Sequence, residues 1–158
     1  MIGKRQWAMI VFGTATCVSA GLFVPRIGRA FDAPEQPEPR ISELAGPWAI
    51  SLGGNTGCGS STMYVTTTLD AAGSGTATVR GSSTGCPPSE TTGLSFQIQS
   101  LNPDGSGTAG LSCGPGCGWA FTIQVPKGDT HLFTLVDVAP ENPNNVLVGT
   151  AARQWGHH

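Results

Sequence analysis

The residues of this 158-residue chain that could carry chemistry are few: five cysteines, three histidines and ten carboxylates. Cys113 and Cys117 flank Gly114-Pro115-Gly116, a turn that reverses the chain. Facing positions of such a hairpin bring the two α-carbons within disulfide reach, about 4.5 to 5.5 Å apart. Cys58 and Cys86 lie further toward the N-terminus, and Cys17 stands apart near it. A zinc site is not expected, because Cys-x3-Cys is not a common zinc knuckle and no histidine lies near any of these cysteines. His131 follows a turn at the start of a strand pattern, where an exposed strand-edge residue is expected; His157 and His158 close the chain. Asp70, Asp104 and Asp129 stand where turns select aspartate, and Asp137 and Glu141 flank a loop with no identifiable partner. No serine sits in a nucleophile elbow, and no glycine-rich segment leads into a helix able to hold a phosphate. The chain is therefore expected to be non-enzymatic and to hold no cofactor and no metal.

The N-terminus sets the compartment. Residues 1–30 begin with Lys4 and Arg5, continue through an uncharged apolar run from Trp7 to Val24 and end in small residues, the layout of a secretory signal. Cleavage after Ala20 or after Ala30 fits equally, and an uncleaved N-terminal anchor is the alternative. Cys17 has no leucine three residues before it, so a lipoprotein cysteine is not expected. Export to a secreted or periplasmic location puts Cys58, Cys86, Cys113 and Cys117 in an oxidising environment, where two disulfides are expected; three pairings are open, and Cys113–Cys117 with Cys58–Cys86 is favoured because the first pair sits on one hairpin. From Leu44 onward the basic residues are Arg80, Lys127 and Arg153, against Asp70, Glu90, Asp104, Asp129, Asp137 and Glu141. So sparse and slightly negative a set excludes a nucleic-acid surface and, unless the N-terminal segment stays uncleaved, a membrane one.

Strands must position these residues. Leu94, Phe96 and Ile98 alternate with Ser95, Gln97 and Gln99, the period of a strand with one buried face. Asn102-Pro103-Asp104-Gly105 reverses the chain into a small-residue strand, Gly107 to Cys113, and Trp119, Phe121, Ile123 and Val125 alternate on the next. Similar patterns over 44–52, 61–69, 75–80, 131–138 and 146–154 bring the total to eight strands, separated by loops at 53–57, 81–93 and 139–145. The segment 31–43 holds Pro34, Pro37 and Pro39 among acidic residues and reads as an extended linker or arm. Leu69 to Ala77 recurs as Leu101 to Ala109, so one device, a strand end closed by a glycine turn, is used twice. The fold class is all-β, an eight-stranded antiparallel up-and-down barrel over 44–155 with two disulfides.

Gly46-Pro47-Trp48 on the first strand and Arg153 on the last resemble the signature of the calycin-like barrels, the lipocalin and avidin type. The resemblance implies that Trp48 closes the barrel floor and that Arg153 packs over its ring. A second resemblance lies in Glu43 to Ile50 behind the arm. This segment looks like the start of small secreted bacterial metalloprotease inhibitors, whose arm enters the protease cleft. The body as a whole is similar to secreted bacterial barrels of uncharacterised function. The implied function is binding of a small apolar ligand or of a partner protein; inhibition through the 31–43 arm and a structural role in the envelope are alternatives. The number of large inward residues favours a filled barrel. If there is a cavity, Trp48, Met63, Phe96, Trp119 and Phe121 are the candidate lining, with Trp119 and Phe121 the first to test.

Overall fold

Apolar residues at every second position offer no helical face to bury, so the chain pairs its strands in sequence order. The computed structural model describes residues 36–138 and 146–155. Its strands are β1 (Gly46–Thr56), β2 (Gly59–Leu69), β3 (Ser74–Ser83), β4 (Ser89–Leu101), β5 (Ser106–Gly114), β6 (Cys117–Gln124), β7 (Leu132–Asp137) and β8 (Val146–Arg153). Each runs antiparallel to the next, and β8 returns to β1 to close an eight-stranded barrel. Inward residues form one continuous core, from Trp48, Leu69 and Ile98 through Phe96, Phe121 and Leu135.

One end of the barrel is plugged. A short 3-10 helix, Ile41–Leu44, precedes β1 and buries Leu44 against the core. The Trp48 indole N–H donates to the Leu44 carbonyl at 2.7 Å, and the ring packs on Phe133 with centroids 4.8 Å apart. Trp48 and Arg153 are direct partners across the β1–β8 seam. The Arg153 guanidinium lies 5.4 Å from the centre of the Trp48 ring, and its Nη2 donates to the Glu43 and Ala45 carbonyls at 2.6 and 2.7 Å. A cation over an indole face, with its Nη2 donating to two main-chain carbonyls, ties both ends of the domain to one floor.

The repeated segments occupy the β2–β3 and β4–β5 turns at this same end. Gly73 N–H bonds the Asp70 carbonyl at 3.0 Å, as Gly105 N–H bonds that of Asn102 at 2.9 Å. Both glycines have positive φ, 78° and 86°. Just beyond, a β-carbon on Gly75 would strike the Thr68 carbonyl and one on Gly107 the Ser100 carbonyl, so the two turns share their close approach as well as their sequence.

Three expectations are corrected. Leu44 lies on the 3-10 helix and not on a strand, and Pro39 is buried, so 39–44 belongs to the floor instead of an extended arm. Gly53, Gly54 and Asn55, expected in a loop, continue β1 because β2 on one side and β8 on the other both supply ladder partners. The expected loop 81–93 is mostly strand: Arg80 pairs with Glu90 and Gly81 with Ser89, and an exposed ion pair at 2.8 Å marks the pairing. The expected signal segment, residues 31–35 of the arm and the loop 139–145 lie outside the described residues.

Seam closure depends on Gly149, whose partner on β1 is Leu52 and whose added β-carbon would collide with the Ser51 carbonyl. Gly149→Ala is expected to lower stability by about 1 to 3 kcal/mol, read as an earlier urea midpoint, because strand backbones cannot move aside as a side chain can.

Candidate functional site

An eight-stranded barrel is filled only where its inward residues are large. Toward the floor they are, with Trp48 and Phe133 wholly buried. At the opposite end, which we term the mouth, the inward positions of β1 to β4 fall to Thr56, Ser61, Gly81, Ser83, Ser89 and Thr91. Small residues there leave a cavity of about 530 Å³ open at the mouth. Its apolar lining is Met63, Val79, Leu94 and Trp119, and the slight exposure of the first three, 8%, 7% and 5%, records the opening. That volume falls within the range of small-ligand sites, about 300 to 1,000 Å³. Gly81 faces this space. A β-carbon added there would meet only the Ser89 hydroxyl at 3.6 Å and Met63 at 4.0 Å, ordinary contacts.

Two disulfides frame the mouth, Cys58–Cys86 and Cys113–Cys117, in the pairing expected from the sequence. Cys58–Cys86 ties the β1–β2 turn to the β3–β4 turn, with α-carbons 5.4 Å apart. Main-chain bonds run beside it, Gly85 N–H to the Cys58 carbonyl at 2.8 Å and Thr84 N–H to the Ser60 carbonyl at 3.0 Å. Cys113–Cys117 clamps the β5–β6 turn with α-carbons 5.3 Å apart, and Trp119 follows it on β6. All four cysteines line the cavity. Such pairs fit an oxidising, extracellular-type environment. Among the described residues no helix is long and apolar enough to cross a membrane.

Of the five residues expected to line a cavity, Met63 and Trp119 do so. Trp48, Phe96 and Phe121 do not: Trp48 is spent on the floor and the two phenylalanines fill the middle of the core, each essentially buried. Val79, Leu94 and Gly81 complete the site. Leu94 and Val79 carried a signal in their alternation, whereas Gly81 read as the start of a loop.

The other candidates scatter. His131 is exposed near the floor end, its ring 4.8 Å from that of Trp155, and Asp129 accepts its backbone N–H at 2.8 Å. Asp70 receives the Ala72 and Ser74 N–H groups at 2.8 and 2.9 Å. Asp104 accepts the Ser106 hydroxyl at 2.6 Å and its N–H at 2.9 Å, which hold the carboxyl below the usual carboxylate range. These carboxylates organise turns, and the support from Asp104 is lost as pH falls through its lowered value. Asp137 faces inward on β7, beside Phe121 on β6, and is 6% exposed. Glu141, His157 and His158 lie outside the described residues, and among those described no cluster of histidine, cysteine and carboxylate could hold a metal. A smaller groove of about 320 Å³ lies outside the barrel between Tyr64, Thr66, Thr78, Arg80 and Glu90. No protein-family model matches the chain, and no curated protein or solved structure matches it either.

The two disulfides close loops of different length, spanning 28 and 4 residues. Loop entropy then predicts a loss of about 3.6 kcal/mol for Cys58→Ser with Cys86→Ser, and about 1.9 kcal/mol for Cys113→Ser with Cys117→Ser. Urea unfolding of the two double variants checks the order.

Proposed function

We propose that this protein is a secreted, non-enzymatic, calycin-like binding protein whose site is the mouth of its barrel. One observation carries the proposal: a barrel otherwise packed with large side chains gives way at one end to a pocket of about 530 Å³. Leaving inward positions small forfeits burial that leucine or phenylalanine would supply, about 1.5 to 3 kcal/mol per side chain. Two disulfides stand where that packing is thin and support the rim without occupying the space. Trp119, partly buried and flat, offers the large apolar surface on which a small ligand would rest.

Inhibition of a protease through the 31–43 arm is less favoured. Part of that arm is engaged on the floor through the buried Pro39 and the 3-10 helix, at the end away from the cavity.

Gly81 supplies the test, because its φ is ordinary and its β-carbon space is open. Gly81→Leu is expected to keep the unfolding midpoint near that of the parent while abolishing the quenching of Trp119 fluorescence by small apolar aromatics. If the parent shows no quenching across a broad panel, or if the filled variant still binds, the mouth is not the site.

A further inference from the structure

We infer that the ligand of the mouth is uncharged and amphipathic, a flat apolar body carrying a neutral hydrogen-bonding group such as a carbonyl, hydroxyl or amide. This rests on the proposal that the mouth is a binding site. The observation behind it is the chemistry of the lining, in which, among the described residues, hydroxyls and apolar side chains appear and no charged residue does.

Among the described residues, the ionisable groups of the neighbouring strands are otherwise placed. Arg80 and Glu90 flank the site on β3 and β4, but their positions alternate with the inward Val79, Gly81, Ser89 and Thr91, and they pair with each other outside at 2.8 Å. Asp137 faces the interior from β7 and is not part of the lining. An ion entering the cavity would shed water and meet no opposite charge on the described lining, a cost that a neutral group avoids.

Some of the hydroxyls are already engaged. Thr56 and Ser61 bond each other at 2.7 Å, and Ser83 exchanges bonds with the Cys86 peptide at 3.2 and 3.3 Å. The hydroxyls of Ser89 and Thr91, neighbours on the inward face of β4, have no hydrogen-bond partner among the described residues. A hydroxyl both donates and accepts, so this pair suits a neutral polar group of either sense. Trp119, Met63 and Leu94 supply apolar surface in the same cavity for the rest of the ligand. Polar recognition by Ser89 and Thr91 at the start of β4 and apolar contact from Trp119, Met63 and Leu94 give an amphipathic ligand one preferred orientation.

Three probes of one size separate the possibilities: 2-naphthamide, naphthalene-2-sulfonate and 2-naphthylmethyl-trimethylammonium. They are titrated by calorimetry into the disulfide-intact protein, its Gly81→Leu variant and its Thr91→Val variant at matched ionic strength. The naphthamide is expected to bind roughly tenfold or more tightly than either ion. Thr91→Val, close to isosteric, is expected to weaken it roughly threefold to tenfold with the unfolding midpoint unchanged. Gly81→Leu is expected to remove its binding. An ion that binds as tightly as the amide, with binding still lost in Gly81→Leu, overturns the neutral class and leaves the site standing. An amide affinity that Thr91→Val does not change overturns the role of the β4 hydroxyls. Absence of binding by all three probes overturns the site and the ligand class together.

Discussion

Pairing of β8 with β1 is the constraint on which the rest of this structure depends. An open sheet of eight strands would leave two edges with unmet N–H and C=O groups, whereas closure gives every strand two neighbours. The seam needs close backbone approach, supplied by Gly54 and Gly149, at both of which a β-carbon would run into the facing chain. It also needs an end-stop, supplied where Trp48 and Arg153 meet as cross-strand partners. Arg153 is more than a cover for the ring, since its bonds to the Glu43 and Ala45 carbonyls fasten the entering chain across the floor.

Closing one end this firmly makes the two ends unlike. Toward the floor, Trp48, Phe133 and Leu44 fill the section. Toward the mouth, inward residues shrink to serine, threonine and glycine, and packing no longer holds the rim. Covalent bonds do that work there. Cys58–Cys86 links two neighbouring turns, Cys113–Cys117 narrows a third, and the space between them is kept. Asp70 and Asp104 fall to the floor side of this division, where they shape the repeated turns.

Much of the barrel was legible in the sequence because its cues are local. Alternation through Leu94, Phe96 and Ile98, and through Trp119, Phe121 and Ile123, needs no partner to be recognised, and Asn102-Pro103-Asp104-Gly105 names its own turn. The misreadings came where local and tertiary cues conflict. Gly53-Gly54-Asn55 has loop composition, yet two neighbouring strands hold it extended. Residues 81–93 hold glycine and two prolines, yet β3 and β4 pair through Gly81 and Ser89. Pro39 and Ile41–Leu44 follow a proline-rich stretch, yet a floor lay ready to bury them.

Of the site, Met63 and Trp119 were legible as inward and large, and Gly81 was not, because a glycine gives no sign of which face it occupies. By itself the sequence determined the strand succession and the turn chemistry, which follow from period and composition, and it favoured the cysteine pairing through the proximity of Cys113 to Cys117 on one hairpin; the meeting of Trp48 with Arg153 was implied only by a family resemblance. Only the tertiary structure decided that Trp48, Phe96 and Phe121 are core while Trp119 borders a cavity. The physical reason is that empty space in a barrel is set by the summed volumes of side chains converging from different strands at one level, and no single strand contains that sum.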